Sequence, residues 1–225
     1  LKCSLAALFC AAIKSAESMG EILKFPGETT KLGFSRVRKR GRGATDPNQL
    51  DLFLAPPTPI ASASPVLSAF EQALLSDERG DDRAAELYAK AIENEDRIAD
   101  ALCNLGIIES KKGNTPSAFD CFTSSLKHDP RHVQAHYNLA NLYFEVNDFR
   151  LAQLHYELAV EVDPAFANAY FNLALAQSLN HELPAAVATL TRYQQIVSAD
   201  EAQHAEELLV NLKKLLAAKD SRSGS

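Results

Sequence analysis

From about residue 65 onward, apolar positions recur at helical spacing. Leu139, Leu142, Tyr143 and Val146 stand at i, i+3, i+4 and i+7. The polar pair Asn147-Asp148 interrupts this stripe, and Phe149, Ala152, Tyr156 and Ala159 begin another. Pro164 has no backbone N–H to donate and marks the next boundary. The pattern predicts two antiparallel helices joined by a tight turn.

The unit recurs. Asn104-Leu105-Gly106 returns as Asn138-Leu139-Ala140 and as Asn172-Leu173-Ala174, each time 34 residues on. Ala84, Ala118, Ala152 and Ala186 keep the same step, as do Tyr88, Phe122, Tyr156 and Leu190. Ala91, Ser125 and Ala159 form a third series that ends at Tyr193. Asp129-Pro130 and Asp163-Pro164 close two units. Small residues let paired helices approach, and the large ones fill the space between units. Residues 99–132, 133–166 and 167–198 make three good units. Residues 65–98 make a degenerate one: Phe70-Glu71 replaces Asn-Leu, the Gly80 turn is shifted by one residue, and Asp96 stands where Pro is expected. Residues 200–219 predict a last amphipathic helix with Ala205, Leu208, Leu209, Leu212, Leu215 and Leu216 on one face. A stack of repeats needs such a cap, because its terminal unit otherwise exposes an apolar edge.

These landmarks resemble the tetratricopeptide repeat (TPR) family. The resemblance implies an all-α fold: a right-handed α-α superhelix of helix pairs with a C-terminal capping helix, here preceded by a largely disordered tail. It also implies that the first helix of each pair lines a concave groove. The groove positions would include Asn104, Gln134, Tyr137, Asn138, Asn141, Phe144, Asn168, Phe171 and Asn172. Asn104, Asn138 and Asn172 form a ladder. Each Asn offers a donor and an acceptor, and can pair either with a peptide backbone of any sequence or with a neighbouring helix. The aromatic positions add apolar contact. The function expected is a non-catalytic scaffold whose groove grips an extended peptide or a partner helix. That role needs a free inner wall, and a wall filled by the chain's own leading segment would remove it. Family members that clamp a partner's terminal carboxylate do so with Lys and Arg. Here Asp100, Gln134 and Asn168 occupy those places, which argues against such a clamp.

Charge divides the chain. Residues 1–64 carry nine Lys/Arg against five Asp/Glu; residues 65–225 carry 14 against 24. Arg36, Arg38, Lys39, Arg40 and Arg42 crowd one acid-free run, a candidate polyanion contact or simply a solvated tail. Residues 45–65 read as a Pro-rich linker. Within it, Gln49, Leu50, Asp51, Leu52 and Phe53 resemble the pentapeptide by which bacterial replication proteins dock on the DNA sliding clamp. The resemblance implies a DNA-associated adaptor, with the basic run on DNA; the alternative is that the pentapeptide packs back on the repeats. At the start, two readings compete. Residues 1–18 precede a natural start at Met19 in a cytoplasmic chain, or they form a weak export signal, which would suit an envelope assembly factor. Residues 220–225 read as a short disordered end.

Other chemistry is excluded. No apolar stretch is long enough to span a membrane as a helix. Four Cys without CxxC spacing, and His132 with His136 lacking a third ligand, argue against a metal site. No phosphate-loop, dinucleotide or nucleophile-elbow motif occurs. Neither an enzyme nor a cofactor is expected.

Overall fold

The computed structural model describes residues 33–38 and 67–223. Among these, nine α-helices follow one another: α1 (Ala69–Glu78), α2 (Ala84–Glu93), α3 (Ile98–Lys111), α4 (Thr115–His128), α5 (Val133–Glu145), α6 (Phe149–Val162), α7 (Ala167–Leu179), α8 (Leu183–Ile196) and α9 (Ala199–Ser223). Each packs on the next in order, and α3 also touches α5. The result is the all-α superhelix of helix pairs that the repeat predicts, closed at one end by α9.

One turn recurs within each pair. Gly80, Gly113, Asn147 and His181 all have left-handed backbone, with φ of 70°, 80°, 63° and 64°. At Gly113 the amide donates to the Ser110 carbonyl, and the next amide, of Asn114, donates to the Glu109 carbonyl. The same two bonds recur at the other three turns. They satisfy helix-end carbonyls that would otherwise lack partners, and they need one residue that tolerates positive φ. Glycine tolerates it freely, asparagine well and histidine least.

The landmark series become the core. Tyr88, Phe122, Tyr156 and Leu190 are fully buried, as are Ala118, Ala152 and Ala186. Gly106 is small because α4 leaves no room: a Cβ there would lie 2.7 Å from the Phe122 ring. Ala205, Leu208, Leu209 and Leu212 of α9 are buried against the last pair.

The first pair departs from the repeat and compensates. Asp96, standing in place of Pro, accepts a 2.7 Å bond from the Phe70 amide and so caps α1 beside Ser68. Arg97, left-handed at φ 54°, lays its guanidinium 4.2 Å from the centre of the Phe70 ring.

Within the leading segment, the described residues 33–38 pack on the repeats. They carry neither helix nor strand, yet Val37 is buried among Cys103, Ile107 and Phe122.

Candidate functional site

The site is the inner wall formed by α1, α3 and α5. Gly33 to Arg38 crosses it from α5 toward α1, opposite to the order of the repeats. On α5, Asn138 pairs with Ser35 in both directions: its Oδ1 accepts from the Ser35 amide at 2.7 Å, and its Nδ2 donates to the Ser35 carbonyl at 3.0 Å. On α3, Asn104 does the same for Val37, at 2.9 and 3.1 Å. Asn141 reaches the Gly33 carbonyl at 3.5 Å. Alternate residues of the segment thus meet successive Asn side chains, as two strands would in a ladder.

The Asn side chains are themselves held. Tyr88 on α2 accepts from Asn104 Nδ2 at 3.1 Å, and its own hydroxyl faces the Asp77 carboxylate at 3.4 Å. Tyr156 on α6 donates to Asn141 Oδ1 at 2.5 Å. The corresponding residue of the middle pair is Phe122, which has no hydroxyl, and Asn138 Nδ2 is instead 3.4 Å from Cys103 Sγ. The aromatic series therefore orients the groove as well as filling the core. Burial pushes the Tyr88 and Tyr156 phenols well above their ordinary range, so they stay protonated donors.

Side chains of the segment find separate places. Phe34 stacks on Phe122, with centroids 6.1 Å apart and planes inclined by 22°. Val37 fills the apolar space beneath Asn104. Arg36 forms a 2.8 Å ion pair with Asp77, which is only 7% exposed, and its second nitrogen lies 3.5 Å from the Asp77 carbonyl. That carbonyl belongs to the last turn of α1, where the helix dipole also favours a cation. Lys111 stands close by. Burial and the charge of Arg36 lower its pKa, while Asp77 raises it.

The other candidate positions lie elsewhere. Tyr137 is fully buried against Tyr156 and Phe166. Asn172 donates to the Tyr137 hydroxyl and to Asn141 Oδ1, so the last rung of the ladder bonds within the stack. Phe144 and Phe171 are buried against Phe149 and Tyr193. Gln134 is half-buried and Asn168 exposed. The polyanion assignment needs one correction: Arg36 is neutralised by Asp77 inside the groove and is not a free surface cation. Arg38 is exposed. Lys39, Arg40 and Arg42, the pentapeptide Gln49–Phe53, and residues 1–18 lie outside the described residues. His132 and His136 are buried and pack within the repeats. His132 Nδ1 accepts from the Ala135 amide at the start of α5, and its Nε2 meets Asp100 at 3.0 Å. His136 bridges the Pro130 carbonyl and His155. Among the described residues there is no group of three or more His, Cys, Asp or Glu that could hold a metal, and no helix is long and apolar enough to cross a membrane.

Sequence reasoning missed Asp77, and it named a wall filled by the leading segment only as the outcome that would remove a free groove, without saying which residues would fill it. The available signal was a pair of apolar residues, Phe34 and Val37, within an otherwise basic run.

The arrangement defines a class: a stack of helix pairs, on whose inner wall Asn104 and Asn138 hold the backbone of the chain's own Val37 and Ser35. Residues 137–201 match the family model described as tetratricopeptide repeat. Mouse tetratricopeptide repeat protein 8 is 34% identical over 82 residues, which is 36% of this chain; the match spans only 16% of that relative's length. The first TPR domain of Spaghetti (RPAP3), solved bound to the HSP90 peptide SRMEEVD, is similar at a TM-score of 0.50 and 25% identity, over 53% of this chain and 94% of that one. The crystal structure of MamA is similar in fold at a TM-score of 0.51 and 18% identity, over 68% of this chain and 97% of that one. The chain has the tetratricopeptide-repeat fold.

Proposed function

We propose that the chain is a non-catalytic scaffold that binds an extended protein segment along the inner wall of α1, α3 and α5. The observation that carries this reading is the paired bonding of Asn104 and Asn138 to the backbone of Val37 and Ser35. Such bonds use only groups that every non-proline residue has, so they serve an incoming chain as well as the resident one. The resident segment meets the condition stated above for losing a free-groove role, so the reading is narrower than the one the sequence led to: binding by exchange with that segment. The wall is occupied in cis, and an incoming segment must displace residues 33–38. The neighbouring TPR domain solved with an HSP90 peptide supports peptide binding as a use of this fold. That peptide is acidic toward its end, whereas the occupant here is basic.

The test uses the full chain with Ser35→Pro and Val37→Pro, which removes both amides that bond to the Asn pair. A fluorescein-labelled peptide of residues 31–40 is titrated and followed by anisotropy. Saturable binding that disappears on adding Asn104→Ala and Asn138→Ala is expected. No binding by a folded chain, or binding indifferent to the two Asn, would overturn the reading.

A further inference from the structure

Backbone bonds alone would admit any sequence. The side chains in the groove are more particular. An aromatic ring lies on Phe122, an aliphatic side chain is buried among Cys103, Ile107 and Phe122, and an arginine meets Asp77. Ser35 shows only backbone bonds. Asp77 is the telling element. A carboxylate 7% exposed is costly unless paired. Its described partners are the Tyr88 hydroxyl at 3.4 Å and the Arg36 guanidinium at 2.8 Å. Of these, only Arg36 carries the opposite charge, and it comes from the segment. Removing the segment would leave Asp77 facing the groove beside the carbonyl end of α1, two negative features at one point. Lys111 is the nearby alternative cation, but it is exposed and makes no ion pair with Asp77 that equals the one Arg36 makes.

We infer that the groove selects its occupant by a four-residue pattern, aromatic, any residue, arginine and β-branched aliphatic, and that Asp77 is the side chain that demands the arginine. The inference rests on the peptide-groove reading above and adds the partner's chemistry: a segment of another protein bearing this pattern, which competes with Phe34-Ser35-Arg36-Val37 for the wall. Arginine suits the place better than lysine, because its planar fork can address the carboxylate and the helix-end carbonyl together.

The test titrates the Ser35→Pro/Val37→Pro full chain with three labelled peptides of residues 31–40: native, Arg36→Ala and Arg38→Ala. The two substituted peptides carry the same net charge. Arg36→Ala should weaken binding about tenfold or more, as expected for a buried charge-assisted pair, and Arg38→Ala far less. With Asp77→Asn added to the chain, which keeps the shape of the side chain, the native and Arg36→Ala peptides should bind alike. Equal loss from the two substituted peptides, or an Arg36 effect that persists in Asp77→Asn, would overturn the arginine code while leaving the peptide groove intact. Failure of every peptide to bind the folded chain would instead overturn the groove reading itself. A wild-type chain that runs as a dimer, and falls to monomer on Ser35→Pro/Val37→Pro, would assign the wall to a second copy and overturn the separate partner.

Discussion

Asn138→Ala isolates the central contact between the wall and its occupant. The substitution removes two hydrogen bonds, of 2.7 and 3.0 Å, from Ser35. Each such bond contributes about 0.5–1.5 kcal/mol net. The Ser35 groups are only part-buried, so water can replace some of what is lost, and a total near 2 kcal/mol is reasonable. At 1.4 kcal/mol per tenfold, the ratio of docked to released segment should fall about thirtyfold. Native-state amide exchange at Val37 reads that ratio directly, because its amide stays bonded to Asn104 in the variant and exchanges only when the segment lifts away. Val37, whose acceptor Asn104 is untouched, should exchange about thirtyfold faster in the variant if Phe34 to Val37 docks as a unit, and Ser35, which loses its own acceptor, at least as much faster. Asn168→Ala is the control, since Asn168 is exposed and its removal should leave both amides unchanged. Two results would refute the reasoning: no protection of Ser35 in the wild type, or protection unaltered in a folded Asn138→Ala.

Three further outcomes are expected. His181 is exposed and left-handed at φ 64°, so His181→Gly should stabilise the fold by about 0.5–1 kcal/mol and raise the melting temperature by a few degrees; a lower melting temperature would contradict the turn argument. Gly106→Ala should destabilise by about 1–2 kcal/mol in urea denaturation, because its Cβ meets the Phe122 ring at 2.7 Å and helix propensity recovers only part of that; it should also loosen Phe34, which stacks on the same ring. The third concerns pH. Burial lowers the pKa of His136, and lowers that of His155 to about 4, from an ordinary 6.5. The unfolded chain therefore binds more protons than the folded one between about 6.5 and 4, and stability should fall as pH falls through that window. His155→Phe keeps a ring on Tyr143 and should flatten the slope, as measured by urea midpoints between pH 7 and 5; an unchanged slope would place the titration elsewhere.

The sequence by itself determined the stack. The periods of 34 and of three to four residues assign the helix pairs, because a helix that must bury one face shows that face in its spacing. The small and large series name the core, since paired helices can approach only where side chains are small. The ladder Asn104, Asn138 and Asn172 was also legible as three equal rungs. Only the tertiary structure decided that they are not equal: the first two bond to residues 37 and 35, and the third bonds to Tyr137 and Asn141. An asparagine can serve either partner, and its spacing along a helix is the same in both cases. The occupied wall was likewise beyond the pattern, because Phe34 to Val37 has no period of its own and gains its conformation from the groove. Asp77 shows the reason most plainly. In sequence it is one acidic residue near a helix end. Its meaning depends on Arg36, which lies 41 residues away along the chain and 2.8 Å away in space.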